Sequence, residues 1–151
     1  MDAADIIQIH QLLGLYGHVV DAAEWDRFDE LFEPDAELDY TGVRVPEVLH
    51  GIEEIRQFFR TANHPSSHHV TNIVVLEDEE AAGGREARVH SKFFAPYTRP
   101  AHDPLRWYGG DYHDVVVRRD GGWRFQRRTC TARWLFTPGD GEGVPAHRRT
   151  W

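Results

Sequence analysis

The chain has 151 residues, of which 40% are hydrophobic and 28% are charged, a composition typical of one soluble globular domain. Its formal net charge of −8 argues against nucleic acid as the main partner, because phosphate binding needs a basic surface. No run approaches the roughly 20 apolar residues of a membrane span, and the acidic start predicts no secretory signal. We therefore expect a cytoplasmic protein, with no membrane partner. A single cysteine, Cys130, excludes an intramolecular disulfide and a cysteine-rich zinc module.

Apolar residues at helical spacing predict three helices in the first half of the chain. The first extends from about Asp5 to Ala22. The second is short, begins near Trp25 and is ended by Pro34. A strand of alternating apolar and polar residues covers residues 36–41, and the third helix covers residues 51–61.

The second half of the chain switches to a period of two, which predicts strands. Four are expected, at residues 68–77, 87–97, 106–119 and 123–136. The Asp120-Gly121-Gly122 turn predicts a hairpin between the last two strands.

This order, α-α-β-α-β-β-β-β, predicts an α+β fold. Three helices and a long antiparallel sheet must bury their apolar faces against each other, so we expect a curved sheet wrapped around the helices as a cone. The mouth of such a cone is typical of a small-molecule pocket. We expect the cone to occupy residues 1–136 and an irregular tail to occupy residues 137–151.

The sequence lacks the motifs of the common nucleophile and cofactor sites. It contains no GxSxG, P-loop, GxGxxG or HExxH pattern, and its histidines lack the spacing of metal ligands. We therefore expect neither a cofactor nor a metal ion. Acid–base chemistry by histidine, carboxylate and tyrosine is the remaining possibility.

Three polar residues inside apolar elements are candidates for such chemistry. Asp21 ends the first helix, where the partial negative charge of the helix end disfavours a carboxylate, so a partner such as histidine should compensate. Tyr40 lies in the first strand, and His69 begins an apolar strand. The alternatives are a solvated helix end, ordinary amphipathic packing and a hydrogen-bonded core histidine. Whether His68 or His69 faces the pocket stays open, because neighbouring strand residues point to opposite faces.

An ordered series of short motifs runs through residues 3–136. They are Glu24-Trp25-Asp26-Arg27-Phe28 after Asp21, then Leu38-Asp39-Tyr40, His68-His69-Val70-Thr71-Asn72, Tyr112-His113-Asp114 and the hairpin at residues 118–125. In this order they resemble the SnoaL-like family of the nuclear-transport-factor-2-like superfamily. Within that group the chain is similar to scytalone dehydratase, bile-acid 7α-dehydratase and hexachlorocyclohexane dehydrochlorinase.

The resemblance implies an aspartate–histidine dyad at Asp21 and His69, in which the histidine is the base or acid and the aspartate holds it. It also implies that Tyr40 or Tyr16 donates a hydrogen bond to a developing enolate oxygen. The histidine would take a proton alpha to a carbonyl and then protonate a leaving hydroxyl. Stopping before elimination gives isomerisation or cyclisation, and the sequence does not choose among these reactions.

Aromatic side chains are expected to form much of the pocket wall, which favours a flat, polycyclic or aromatic ligand. The candidate substrate-binding residues are Trp25, Phe58, Phe93, Tyr97, Trp107, Tyr112, Thr129, Thr131 and Trp134. For the aromatic residues the alternative is core packing. Tyr112 and Asp114 share one side of their strand and would face the two threonines, although a one-residue slip reverses that pairing. Asp114 could instead form an ion pair with Arg127 or Arg128.

The sequence therefore predicts a cofactor-independent lyase (dehydratase), cyclase or isomerase. Its substrate would be a small hydrophobic carbonyl compound, such as a polyketide or steroid-like metabolite. One alternative is a non-catalytic ligand-binding or assembly subunit, like the small subunits of ring-hydroxylating dioxygenases, and another is a protein-interaction domain with a filled pocket. By family resemblance we expect a homodimer joined through the outer sheet face, with apolar area from Val115, Val117 and Phe125.

Overall fold

The computed structural model describes residues 1–43, 45–62, 67–81, 84–97, 106–136 and 144–145. Its helices are α1 (Ala3–Asp21), α2 (Phe28–Leu31) and α3 (Ile52–Thr61), with a 3-10 turn at Trp25–Arg27 before α2. Its strands are β1 (Phe32–Gly42), β2 (Leu49–His50), β3 (His69–Ala81), β4 (Gly84–Tyr97), β5 (Arg106–Arg119), β6 (Gly122–Phe136) and β7 (Val144–Pro145).

Helix α1 begins two residues earlier than predicted because of a capping box. The Asp2 side chain accepts a hydrogen bond from the backbone N–H of Asp5 at 2.9 Å, and the Asp5 side chain accepts one from the backbone N–H of Asp2. This exchange satisfies donors that the first helical turn leaves unpaired. The buried face of the helix includes Ile9, Leu13, Tyr16 and Val20.

The second helix is shorter than predicted, and Pro34 does not end it. Helix α2 stops at Leu31, and Phe32 already has extended backbone angles. Phe32 is buried and pairs with Phe125 of β6, so burial of this ring draws the chain into the sheet. Pro34 lies in β1 between Phe32 and Glu37, where the register with β6 shifts, and a proline is tolerated at such an irregularity.

The sheet has the strand order β2-β1-β6-β5-β4-β3, with β7 paired to β6. All its pairings are antiparallel except that of β1 with β6, which is parallel. The predicted α+β class with three helices and a curved sheet is confirmed, but the sheet is mixed rather than wholly antiparallel. The predicted boundary between a cone domain and a tail stays a prediction.

The helices cover one face of the sheet, which we call the inner face. Rings of α1 and α3 meet it: Tyr16 contacts Tyr112 and Phe125, and Phe59 contacts Tyr40. The opposite, outer face carries residues such as Lys92, Phe94, Asp111, His113, Thr129 and Thr131. Phe125 is fully buried on the inner face, so the prediction that it supplies an outer dimer surface is wrong.

No helix in the described ranges combines the length and the apolar character needed to cross a bilayer.

Candidate active site

A carboxylate–imidazole pair joins the end of α1 to the start of β3. Asp21 Oδ1 lies 2.5 Å from His68 Nδ1, and Asp21 Oδ2 accepts a hydrogen bond from the His68 backbone N–H at 2.8 Å. The His68 side chain is 5% exposed and that of Asp21 is 25% exposed. One contact to the ring and one to the backbone N–H hold His68 against this carboxylate. With its proton on Nδ1, the imidazole keeps an unshared electron pair on Nε2.

His69, the predicted partner of Asp21, lies elsewhere. It pairs in register with Phe94 of β4, its ring centre is 5.9 Å from that of Phe94, and its side chain is exposed. Its Nε2 lies 3.2 Å from the Ser67 hydroxyl. The prediction of an Asp21–His69 pair is therefore wrong by one residue, and His68 takes that place. Alternation along a strand gives its period, but the register with β4 sets which of two neighbours points inward.

Gly17 allows His68 to approach α1 closely. A Cβ atom at this position would lie 3.1 Å from the His68 carbonyl oxygen and 3.4 Å from the His68 Cβ atom. Gly17 lies one turn before Asp21, on a buried part of the helix. A glycine inside a helix is unfavourable by propensity, so this residue is a sequence signal for close packing next to the pair.

Two predicted catalytic tyrosines form a buried hydrogen-bonded pair beside His68. The hydroxyl oxygens of Tyr16 and Tyr40 lie 2.5 Å apart, and the Tyr16 ring centre is 5.9 Å from that of His68. Burial raises the pKa of Tyr16 to about 12, against a lowering effect of the Arg128 charge, and burial also raises the pKa of Tyr40. Both phenols are therefore protonated at neutral pH. One of the two protons forms the bond between them, and the other can be donated to a ligand.

A buried ion pair lies next to the tyrosines. Arg128 donates from Nε and Nη2 to the two carboxylate oxygens of Asp114, at 2.9 and 2.8 Å, and both side chains are fully buried. The guanidinium carbon lies 4.1 Å from the ring centres of Tyr16, Tyr112 and Phe125. Burial lowers the pKa of Arg128, but the charge of Asp114 more than offsets this and raises the pKa overall, so the side chain stays cationic.

This ion pair shows which of the alternatives for Asp114 holds. Of the two candidate arginines, Arg128 is the partner, while Arg127 lies near Glu37 and Asp39 of β1. The sequence pattern did not single out Arg128 as a site residue. Its signal is its position in register with Asp114, which only the sheet pairing reveals.

Four of the predicted aromatic wall residues lie near the tyrosine pair. Phe93 stacks on Tyr112 with ring centres 4.6 Å apart, on the inner face. Trp25 stacks on Phe59 at 5.9 Å, and Phe58 meets the same ring edge-on at 5.2 Å. Phe59, which is absent from the predicted wall, contacts both tyrosines of the pair and so links the two groups of rings.

The two predicted threonines lie on the outer face. Thr129 pairs with His113 and Thr131 pairs with Asp111, whereas Tyr112 pairs with Cys130. Residues paired in register share a face of the sheet, so both threonines point away from Tyr112. Their assignment as substrate-binding residues of the inner site is wrong, because the one-residue slip recognised as an alternative is the register that the hairpin adopts.

The predicted tryptophans of the last two strands also lie on the outer face. Trp107 contacts Phe94 edge-on at 5.6 Å, and Trp134, which is 36% exposed, packs against Phe94 at 5.8 Å. A Cβ atom on Gly109 would clash with the Trp134 ring, so this indole packs directly against the glycine. Neither tryptophan contributes to the inner site. The side chain of Tyr97 lies outside the described part of the structure.

These contacts place an aspartate-held histidine, two phenols and a buried guanidinium side by side on the inner face. The family model of the SnoaL-like domain matches residues 1–129. The chain belongs to the SnoaL-like family. The resemblance inferred from its motifs is thereby confirmed.

Known relatives and solved structures agree with this assignment. This SnoaL-like chain is 28% identical over 135 residues to the uncharacterized protein Rv2910c of Mycobacterium tuberculosis, with 86% of each chain covered. It is similar in structure to a proposed scytalone dehydratase from Novosphingobium aromaticivorans, with a TM-score of 0.75, 23% identity, and 97% of this chain and 96% of the other covered.

Two further solved structures share the SnoaL-like fold of this chain. Protein Kfla4162 from Kribbella flavida superposes with a TM-score of 0.78 at 23% identity, covering 89% of this chain and 95% of its own. A type 2 hexachlorocyclohexane dehydrochlorinase, LinA, gives a TM-score of 0.73 at 16% identity, with 95% of both chains covered. At sequence identities this low, the superpositions show a common fold alone.

Proposed function

We propose that this SnoaL-like protein is an acid–base lyase, with cyclisation or isomerisation as related outcomes, acting on a small hydrophobic carbonyl compound. The observation that carries the proposal is the two-point contact of Asp21 with His68, which holds the imidazole beside a buried tyrosine pair. The reaction consists of proton transfers and the loss of water, and histidine and tyrosine side chains can supply these steps without a cofactor.

In the proposed mechanism His68 Nε2 takes the proton alpha to the substrate carbonyl. The electrons of the broken C–H bond move into the carbonyl group and form an enolate. Tyr16 or Tyr40 donates a hydrogen bond to the enolate oxygen, since both phenols keep their protons at neutral pH. Asp21 holds the ring in place and offsets the charge of the imidazolium that forms.

Elimination follows from the same groups. The imidazolium of His68 gives its proton to the hydroxyl group at the beta carbon, the C–O bond breaks, and water leaves. The enolate electrons form the new C=C bond, so His68 returns to its neutral state. If the enolate instead receives a proton at another carbon, or attacks a second carbonyl, the product is an isomer or a ring.

The rings around the pair support a flat apolar substrate. Phe93 and Tyr112 stack on the sheet side, and Phe59 and Trp25 stack on the helix side. A polyketide or a steroid-like compound has this shape. Two of the structural neighbours are named as a proposed dehydratase and a dehydrochlorinase, and both names describe eliminations, which favours elimination here.

The test is turnover of beta-hydroxy ketones with flat aromatic substituents, followed by the ultraviolet absorbance of the conjugated enone. We expect His68→Gln to lower kcat by about 10²–10⁴-fold, the range that a positioned acid–base group contributes. Asp21→Asn should also lower kcat, because it disturbs the hydrogen bond that orients the ring. The matched control is His69→Gln, which changes the exposed neighbour and should leave turnover unchanged.

Two results would contradict the proposal: full turnover by His68→Gln, or an equal loss in His69→Gln. Tight binding of the ketones by wild type without turnover would favour the non-catalytic ligand-binding alternative. The homodimer stays a prediction, which sedimentation velocity of the wild-type protein would test.

A further inference from the structure

Two buried polar atoms on the inner face next to the tyrosine pair lack hydrogen-bond partners in the described part of the structure. Arg128 Nη1 and Ser91 Oγ are buried, and neither has a hydrogen-bond partner among the described residues. Both side chains are fully buried. An unpaired buried donor costs free energy, because it has given up water without a replacement.

The tyrosines add a further unused donor. The single hydrogen bond between Tyr16 and Tyr40 uses one of their two hydroxyl protons, and the other proton takes no part in that bond. Burial raises the pKa of Tyr112 as well, so all three phenols keep their protons at neutral pH.

The carboxylates nearby are already in use. Asp114 accepts from Nε and Nη2 of Arg128, one bond to each oxygen. Asp21 accepts from the ring and the backbone of His68. Neither carboxylate bonds to Arg128 Nη1 or Ser91 Oγ, and an oxygen acceptor from outside the chain would satisfy both.

The spare donors lie on neighbouring positions of the sheet. Ser91 of β4 pairs in register with Tyr112 of β5, and Asp114, two residues along β5, pairs with Arg128 of β6. The Tyr112 ring lies directly against the guanidinium, which places the hydroxyl, the phenol and the cation on one patch of the inner face. We call Ser91, Tyr112 and Arg128 the donor patch.

We propose that the donor patch binds an anionic oxygen of the substrate, and that it selects acidic compounds over neutral ketones of the same shape. The chemistry of the ligand is a flat ring system carrying an oxyanion, either a stabilised enolate or a carboxylate. The inference rests on the proposed function, whose substrate it makes more specific. Hydrogen bonds from a guanidinium to an oxyanion are stronger than those to a neutral carbonyl, which is the source of the selection.

Calorimetric binding to wild type at mildly alkaline pH tests the proposal with two shape-matched pairs of probes. The first pair is the enolate of 1,3-indandione and the neutral ketone 1-indanone. The second pair is indane-2-carboxylate and indane-2-carboxamide. We expect the anion of at least one pair to bind about ten- to hundredfold more tightly than its neutral partner. The pair that shows the larger ratio identifies the source of the oxyanion. Equal affinities within both pairs would overturn the proposal.

Variants then locate the preference. Replacing Arg128→Met together with Asp114→Leu removes both charges at similar volume, and the preference for the anion should disappear. Ser91→Ala removes one hydroxyl and should reduce the preference several-fold. His69→Gln is the control and should bind all four probes as wild type does. If the double variant does not fold, Ser91→Ala alone tests the patch. An anion preference in Ser91→Ala as large as that of wild type would overturn the role of the donor patch.

His68→Gln separates this inference from the proposed function. Its binding preference should match that of wild type, because His68 lies outside the donor patch. Loss of turnover in His68→Gln without any anion preference in wild type would overturn only the present inference. Full turnover in His68→Gln with the anion preference intact would overturn only the proposed dyad.

Discussion

Two carboxylates of β5, Asp111 and Asp114, lie on opposite faces of the same strand, and both are buried. Each has an arginine of β6 as its partner. On the inner face Arg128 is as fully buried as Asp114. On the outer face Arg133 and Lys92, which bond to Asp111, are 42% and 50% exposed, and His90 Nε2 lies 2.8 Å from the same carboxylate.

The difference between the two faces is the solvent around the cations. Arg128 and Asp114 have both lost their water, so each depends on the other and on the surrounding rings. The cations around Asp111 keep much of their hydration, and water and salt weaken their attraction. Burial raises the pKa of Asp111, but hydrogen bonds from Lys92, Arg133 and His90 outweigh it and hold the pKa below its ordinary value.

The largest expected effect on stability comes from breaking the Arg128–Asp114 ion pair of the inner face, which we call the inner pair. Arg128→Met leaves the carboxylate of Asp114 buried without a partner, and we expect a loss of about 3–5 kcal/mol in the free energy of unfolding. Urea unfolding followed by circular dichroism measures it. The double variant with Asp114→Leu should recover most of this loss. A single variant as stable as wild type would show that water reaches Asp114.

Two adjacent glycines extend the comparison to packing. A Cβ atom on Gly110 would lie 2.0 Å from the backbone carbonyl oxygen of Thr131, whereas one on Gly109 would meet the Trp134 ring. We expect Gly110→Ala to lower the free energy of unfolding by about 1–3 kcal/mol, because the backbone of β6 must move. Gly109→Ala should cost less, because the partly exposed indole can swing away.

Thermal unfolding measures both glycine variants, and tryptophan fluorescence should shift to longer wavelength in Gly109→Ala as its indole enters water. Equal losses of stability in Gly109→Ala and Gly110→Ala would contradict the proposed difference in packing between the two faces of β5.

Asp111 and its partners Lys92, Arg133 and His90 form the outer cluster. Breaking this cluster should lower the free energy of unfolding less than breaking the inner pair does. Asp111→Asn removes the charge from hydrogen bonds to partly exposed cations, and we expect a loss of about 1 kcal/mol. The folded pKa of Asp111 is lowered, so its contribution is present above the unfolded value of about 3.9 and is lost as pH falls through the folded value.

Urea unfolding of wild type and Asp111→Asn across an acidic pH series checks this prediction. The difference in the free energy of unfolding between wild type and Asp111→Asn should be constant near neutral pH and should become smaller in acid. Lys92→Met, which removes one of the exposed cations, serves as a control and should show a smaller loss. A difference in the free energy of unfolding that grows in acid would contradict the lowered pKa of Asp111.

The smallest effect is expected at the stacked histidines of the outer face. The rings of His90 and His113 lie 4.5 Å apart, and burial, followed by the charge of His90, lowers the pKa of His113. The unfolded chain therefore takes up a proton at His113 before the folded protein does, and stability falls as pH drops below about 6.5.

His113→Gln removes this titration, so its midpoint of thermal unfolding should depend less on pH between neutral and mildly acidic conditions. An unchanged pH dependence would indicate that His113 titrates alike in both states. The exposed His50→Gln is a suitable control, since it removes a histidine far along the chain.

Local sequence signals were enough to predict most elements and several members of the site. Helical spacing located α1 and α3, a period of two located β5 and β6, and the Asp120-Gly121-Gly122 turn marked their hairpin. Periodicity and turn chemistry depend on residues close together in the chain, so one sequence contains them. The unfavourable position of Asp21 at a helix end, and the polar Tyr40 in an apolar strand, are signals of the same local kind.

The phase of the strands, and the partners across them, came from contacts between distant segments. His68 rather than His69 meets Asp21, the two threonines of β6 face outward, and Arg128 is buried against Asp114. Each of these outcomes depends on which face of its strand a residue occupies, and a one-residue shift of that strand would reverse it. Alternation specifies a period of two but not which face is buried. That choice is made by packing against helices that are distant in sequence.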